Sequence, residues 1–202
     1  MDISLKSRFY FSSKLVMVLA VALIILLSTA ATIFASPFMD DPGKLVVFFS
    51  HEYVGSGSAS SQDYDSFSGT FCGIGIPTKY GSFGIKTTFD TSVSYYEFFA
   101  DWVYNDNLLM EMTINHLDKD GTAYRFGAYR AVPIDMGDGR RLNTIFGPGI
   151  SVLASKEDTT FSMFLRAKAN YYLVDSLYLF GNGMYDFMFN SFDMEFGVGF
   201  SY

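Results

Sequence analysis

Only two imidazoles, His51 and His116, could act as a base at neutral pH in this 202-residue chain. His51 is followed by Glu52 and stands just before the serine-rich run Ser56 to Ser61. A Ser–His–Glu constellation is physically possible there, because such sites are defined by geometry and not by chain order. Serines in a Gly/Ser run more often supply flexibility, so we expect no catalytic residue. His116 falls at the end of an apolar face and suits an interfacial position. The turns Asp118 to Gly121 and Asp135 to Gly139 begin like calcium loops, but neither continues to the glutamate that a twelve-residue loop needs. Both are better explained as turns. Gly73 to Ile76 and Gly147 to Gly149 lack the strand-to-helix context of phosphate loops. Cys72 shares a face with Ile74 and Ile76, as an inert thiol would. As the single cysteine it excludes a disulfide framework and a cysteine-rich metal site. We therefore expect no metal and no cofactor.

The elements that would position these residues are strands. Half the residues are apolar and 17% are charged, with 22 Phe, 14 Tyr and 18 Gly. An ordinary soluble domain carries about a quarter charged residues, so this chain is poor in charge and rich in strand formers. Its net charge of -7 argues against a nucleic-acid partner, which calls for a basic surface. Leu108 to His116 alternates strictly, with Leu108, Met110, Met112 and Ile114 opposite Glu111, Thr113 and Asn115, which predicts a strand. After the Asp118 turn the chain returns with Tyr124, Phe126 and Ala128 opposite Arg125 and Gly127, which completes a hairpin. Ser82 to Asp90, Tyr95 to Tyr104 and Thr159 to Tyr171 follow the same grammar. Leu45 to Tyr53, Ser68 to Ile76, Phe146 to Ala154 and Leu177 to Tyr185 do so more weakly. Pro148 predicts a bulge or a strand end within one of them, since proline removes a ladder donor. Pro133 to Arg141 reads as a turn or short loop, and Gly55 to Asp65 as the longest surface loop.

The charges follow the alternation. Phased by apolar residues alone, Lys86, Glu97, Asp101, Glu111, Arg125, Arg166, Lys168, Asp193 and Glu195 all lie opposite the apolar faces. Independent placement would achieve this about once in 500 trials. A lipid-facing Arg or Lys at mid-bilayer costs about 2–4 kcal/mol, which supplies a cause. Arg130 alone breaks the rule and is expected at a membrane boundary. Alternation by itself also fits a soluble sandwich or lipocalin. Tyr53, Tyr95, Tyr104 and Tyr171 at strand ends, as in interfacial girdles, favour the membrane.

Lys6, Arg8 and Lys14 precede an apolar run from Leu15 to Leu27 and then small residues, the order of a secretory signal. Cleavage after Ala31, Ala35 or Ser36 is compatible with that boundary, and a permanent helix anchor is the rival reading, since about 20 apolar residues span a bilayer. No cysteine follows the leader, which argues against acylation there.

The last residues, Met194-Glu-Phe-Gly-Val-Gly-Phe-Ser-Tyr202, put Phe196, Val198, Phe200 and Tyr202 on one face. They resemble the C-terminal signal by which outer-membrane barrels are recognised by their assembly machinery, with Tyr where a terminal Phe is commonest. With the leader and the alternating strands, the chain resembles the small OmpA-type and opacity-type barrels. The resemblance implies a signal peptide over 1–36 and a closed antiparallel transmembrane barrel over 37–202, in the bacterial outer membrane. It also implies membrane lipid and the barrel-assembly machinery as partners. Ten segments can be counted. We expect eight strands, since eight give an interior that side chains just fill, and ten is the alternative. The inward charges Lys86, Glu97, Asp101, Glu111, Arg125, Arg166, Lys168 and Glu195 are expected to pair in a plugged lumen, because an unpaired buried charge is strongly disfavoured. The expected function is a non-enzymatic barrel that acts through its surface loops, in adhesion or envelope integrity. A small channel and a lipid-modifying enzyme are the alternatives. Some small barrels are lipid A deacylases, but their His-x-Ser pattern is missing at both histidines.

Overall fold

A computed structural model describes residues 44–59, 62–64, 66–89, 95–105, 107–117, 121–138, 140–155 and 159–202. The leader expected over 1–36 lies outside the described residues. The strands are β1 (Val46–Val54), β2 (Gly57–Ala59), β3 (Gln62–Tyr64), β4 (Phe67–Pro77), β5 (Gly81–Thr88), β6 (Tyr95–Asn105), β7 (Leu108–Leu117), β8 (Gly121–Gly137), β9 (Arg140–Ala154), β10 (Thr159–Val174), β11 (Leu177–Asp186) and β12 (Ser191–Ser201). β2 and β3 form a small hairpin of their own. The other ten close into a barrel, each antiparallel to both neighbours, and β1 meets β12 on one side and β4 on the other.

Period two does the sorting. One set of alternate residues is turned out and exposed, including Phe49, Phe83, Ile85, Phe98, Phe146, Ile150, Met163, Leu165 and Phe196. The other set is turned in and buried, and it holds Glu52, Lys86, Glu111, Arg166, Asp193 and Glu195 together with Tyr129, Tyr172 and Phe164. A soluble sandwich would bury the first set and expose the second. Exposed aromatics mark both ends of the outward face, with Tyr80, Tyr104 and Tyr202 near the short turns and Tyr53, Phe89 and Tyr96 near the other rim.

Inward glycines are covered by rings. An ideal Cβ on Gly199 would lie 2.1 Å from the Tyr178 ring, and one on Gly73 would lie 2.1 Å from the Phe48 ring. These positions need the absent side chain, because the ring lies flat on the strand behind it.

The structure corrects three expectations. The barrel has ten strands, not eight: each of the ten segments pairs antiparallel with both neighbours, so none fuses or drops out. The stretch Pro133 to Arg141 is mostly strand, because β8 and β9 stay paired out to Gly137↔Arg140. The turn sits at its far end, where Gly137 and Asp138 take positive φ. Pro148 lies inside β9 with no bulge. The ladder to β10 runs through Leu165↔Pro148, while the ladder to β8 omits Ala128–Pro148 and Tyr129–Gly147 and resumes in the same register. Proline brings no N–H, and the sheet absorbs that as a gap of two pairs.

Candidate functional site

The lumen gathers the charges into separate groups. Lys86, inward on β5, donates to Glu52 Oε2 at 2.8 Å and to Glu195 Oε1 at 3.1 Å, and stands 3.7 Å from Glu97 Oε2. Ladder pairing explains the meeting, since Glu52 lies opposite Glu195 and Lys86 opposite Glu97. Two like charges directly opposed would be destabilising, and the ammonium between them offsets this. Ser50 donates to Glu195 at 2.7 Å, and the Tyr95 hydroxyl and Asn115 amide donate to Glu97 at 2.8 and 2.9 Å. The rings of Phe71 and Tyr95 lie 5.0 and 5.8 Å from Lys86 Nζ, close enough for cation–π attraction.

A second group centres on Glu111 of β7, which accepts from Arg166 and Lys168 of β10. Two strands separate donor from acceptor, so these bonds cross the interior. Gly127 and Gly149 line the wall between them. The Tyr129 hydroxyl also donates to Glu111, at 3.4 Å. Arg125 stands 3.7 Å from Asp193. Asp101 accepts from the amide and hydroxyl of Ser82 at 2.9 and 2.8 Å.

The structure places Lys86, Glu97, Asp101, Glu111, Arg125, Arg166, Lys168 and Glu195 on the inward face, in several groups. Glu111 and Arg125 share a hairpin and face different partners, and Glu195 belongs with Lys86. Sequence reasoning missed Glu52 as a luminal residue, although it is in phase with Ser50 on β1. It also missed Asp186, which accepts from Ser162 and from the amides of Met188 and Phe189 in the turn before β12.

His51 and Glu52 are successive residues of one strand and point to opposite faces. His51 is outward, with Nε2 2.9 Å from Ser68 Oγ and Nδ1 3.3 Å from Thr70 Oγ1, while Glu52 is committed to Lys86. The Ser–His–Glu arrangement is excluded for this pair. His116 is outward too, beside Thr122. Cys72 faces outward between Thr70 and Ile74 and is half-buried. Among the described residues no group of His, Cys, Asp and Glu is placed to hold a metal ion.

Phe196, Val198 and Phe200 occupy the outward face of β12, and the exposed Tyr202 follows directly after it. The seam is sealed at its rim by Tyr202 N donating to Leu45 O at 2.9 Å and Leu45 N donating to Tyr202 O at 3.0 Å. Between the ion groups and the short turns lies a cavity of about 200 Å³. Phe48, Phe99, Tyr172 and Phe180 line it along with Lys86, Glu111 and Lys168. Ten strands enclose more width than side chains fill in an eight-stranded barrel, and rings and ion groups occupy most of the excess.

No protein-family model and no curated sequence matches the chain. Among solved structures, the beta domain of the Bordetella autotransporter Brka is similar at TM-score 0.50 and 10% identity, over 80% of this chain and 100% of that one. The COG4313 outer membrane channel of Pseudomonas putida F1 aligns at TM-score 0.42 and 9% identity, over 81% and 97%. The N-terminal β-barrel domain of Pseudomonas aeruginosa OprF aligns at TM-score 0.36 and 10% identity, over 78% and 97%. The likeness to the Brka domain establishes the fold, a closed antiparallel β-barrel.

Proposed function

We propose that the protein is an integral outer-membrane β-barrel, exported behind a cleaved leader, with a lumen closed by ion groups. In this reading it acts without catalysis, through the loops at the rim opposite the short turns. One observation carries the proposal: large apolar side chains cover the outward face while the charges of the ion groups are turned in. In water that surface would be an aggregation liability far beyond the few hundred Å² of apolar patch that monomers tolerate. In hydrocarbon it is the required surface, and closure leaves no strand edge unpaired. The cross-lumen bonds to Glu111 and Lys86 support a plugged interior.

Gel mobility with and without boiling tests the membrane reading. The folded barrel, extracted from outer membranes, should migrate differently when unheated. Identical mobility, or recovery in the soluble fraction without detergent, would overturn it. The cavity beside the ion groups gives some support to a second reading, a small channel. Planar-bilayer recordings should show no discrete conductance for the plugged barrel, and reproducible steps would favour the channel.

A further inference from the structure

Arg130 and Pro148 both depart from the barrel pattern, and they are diagonal neighbours on the outward face. Cross-strand pairing sets Trp102 of β6 against Met110 of β7, and Met110 against Ala128 of β8. The row continues across the unpaired Ala128–Pro148 step to Leu165 of β10. The adjoining row, farther from the short turns, carries Phe126, Ile150 and Met163. Small Ala128 and ring-closed Pro148 therefore sit low among large neighbours, and an outward groove of about 340 Å³ forms over them. Its floor is thin. Gly127 and Gly149 put no side chain there, and the buried Glu111 is reached from outside at the bottom. Arg130 stands two residues from Ala128 on the same face, roughly 7 Å along the strand, on the side of the short turns. It is exposed and makes no hydrogen bond or ion pair among the described residues. The indole N–H of Trp102 is buried and has no acceptor among them either.

We propose that this groove binds one glycerophospholipid of the leaflet at the short-turn end, with an acyl chain over Ala128 and Pro148 and the phosphate on Arg130. The inference rests on the membrane reading above. Apolar walls select a hydrocarbon chain. A guanidinium beside the groove selects an anionic headgroup and can hold a phosphate by two parallel bonds. A chain in the groove also covers the thin wall over Glu111 left by Gly127 and Gly149.

Trp102 is the chain's single tryptophan, so its fluorescence reports this groove alone. Full-length mature protein, folded in detergent, is titrated with phosphatidylglycerol carrying a dibrominated acyl chain, which quenches indole on contact. Quenching should saturate with increasing lipid. Arg130→Gln should raise the half-saturating concentration about tenfold, the scale of one lost charge-assisted bond. Ala128→Phe should fill the groove and abolish the saturable component, and Met163→Ala, which leaves the floor intact, should retain it. Shifted mobility in unheated gels certifies each variant as folded. Quenching that rises linearly, or that is equal in wild type, Arg130→Gln and Ala128→Phe, would overturn the site while leaving the barrel standing. Protein that stays soluble without detergent would overturn the membrane reading itself.

Discussion

Lys86 sits among Glu52, Glu97 and Glu195, and its removal is the sharpest test of the lumen at the residue scale. Replacing it with Met leaves three carboxylates buried without their cation, and breaking a buried ion group in this way costs about 3–5 kcal/mol. Urea unfolding in micelles should show a loss of that order for Lys86→Met, with part of it recovered when Glu52→Gln is added. Equal stability of Lys86→Met and wild type would show that the group adds nothing. The partners themselves were only half legible. Alternation assigns each charge to a face, because a lipid-exposed charge is costly wherever it occurs. It does not say who meets whom across the interior, since Arg166 and Lys168 reach Glu111 past two intervening strands. Glu52 escaped notice for a different reason. On β1 the inward face begins with Val46 and Phe48 and the outward face carries His51, so polarity does not mark the faces until Ser50 and Glu52 are taken together.

Strands were more legible than their limits. Leu108 to His116 declared itself because Glu111, Thr113 and Asn115 turn in while Met110, Met112 and Ile114 turn out. The β8–β9 hairpin did not, because Pro133 and the Asp135 to Gly139 turn residues resemble a loop. The strands in fact continue through Pro133↔Asn143 and Asp135↔Arg141. Rings packed flat on inward glycines leave a plainer prediction at this scale. Gly199→Ala drives a methyl into Tyr178 and should destabilise the barrel by about 1–3 kcal/mol, the range for overpacking. Gly183→Ala is the control. Its nearest neighbour is the Phe192 ring at 3.6 Å, ordinary contact, and the change should fall within about 0.5 kcal/mol of wild type. Urea midpoints of the two variants separate ring packing from any general intolerance of alanine in these strands.

Closure is a property of the whole molecule, and it runs through one seam. β1 and β12 pair from Val46↔Ser201 to Val54↔Asp193, which joins the first described strand to the last. Strand number could not be read from the sequence, because it depends on how many weak segments find partners on both sides. Ten do, and Tyr129, Tyr172, Phe164 and the ion groups take up most of the extra width over an eight-stranded barrel. The seam gives Tyr202 two separable roles. As a structural element it closes a single reciprocal pair with Leu45 at the rim, where water can replace the lost bonds, so its deletion should cost the folded barrel at most about 1–2 kcal/mol. As the end of an assembly signal it would be read by machinery before the barrel exists. Deleting Tyr202, or changing Phe200 and Tyr202 to Ser, should therefore leave most of the protein periplasmic and protease-sensitive in cells. The Tyr202 deletion should still refold from urea into detergent with shifted unheated mobility. Removing all of Ser191–Tyr202 should abolish folding in both settings, because two facing edges would then lie unpaired in hydrocarbon, where each unsatisfied group costs several kcal/mol. Normal membrane levels of the Tyr202 deletion in cells would eliminate the signal and leave the residue with its structural role alone.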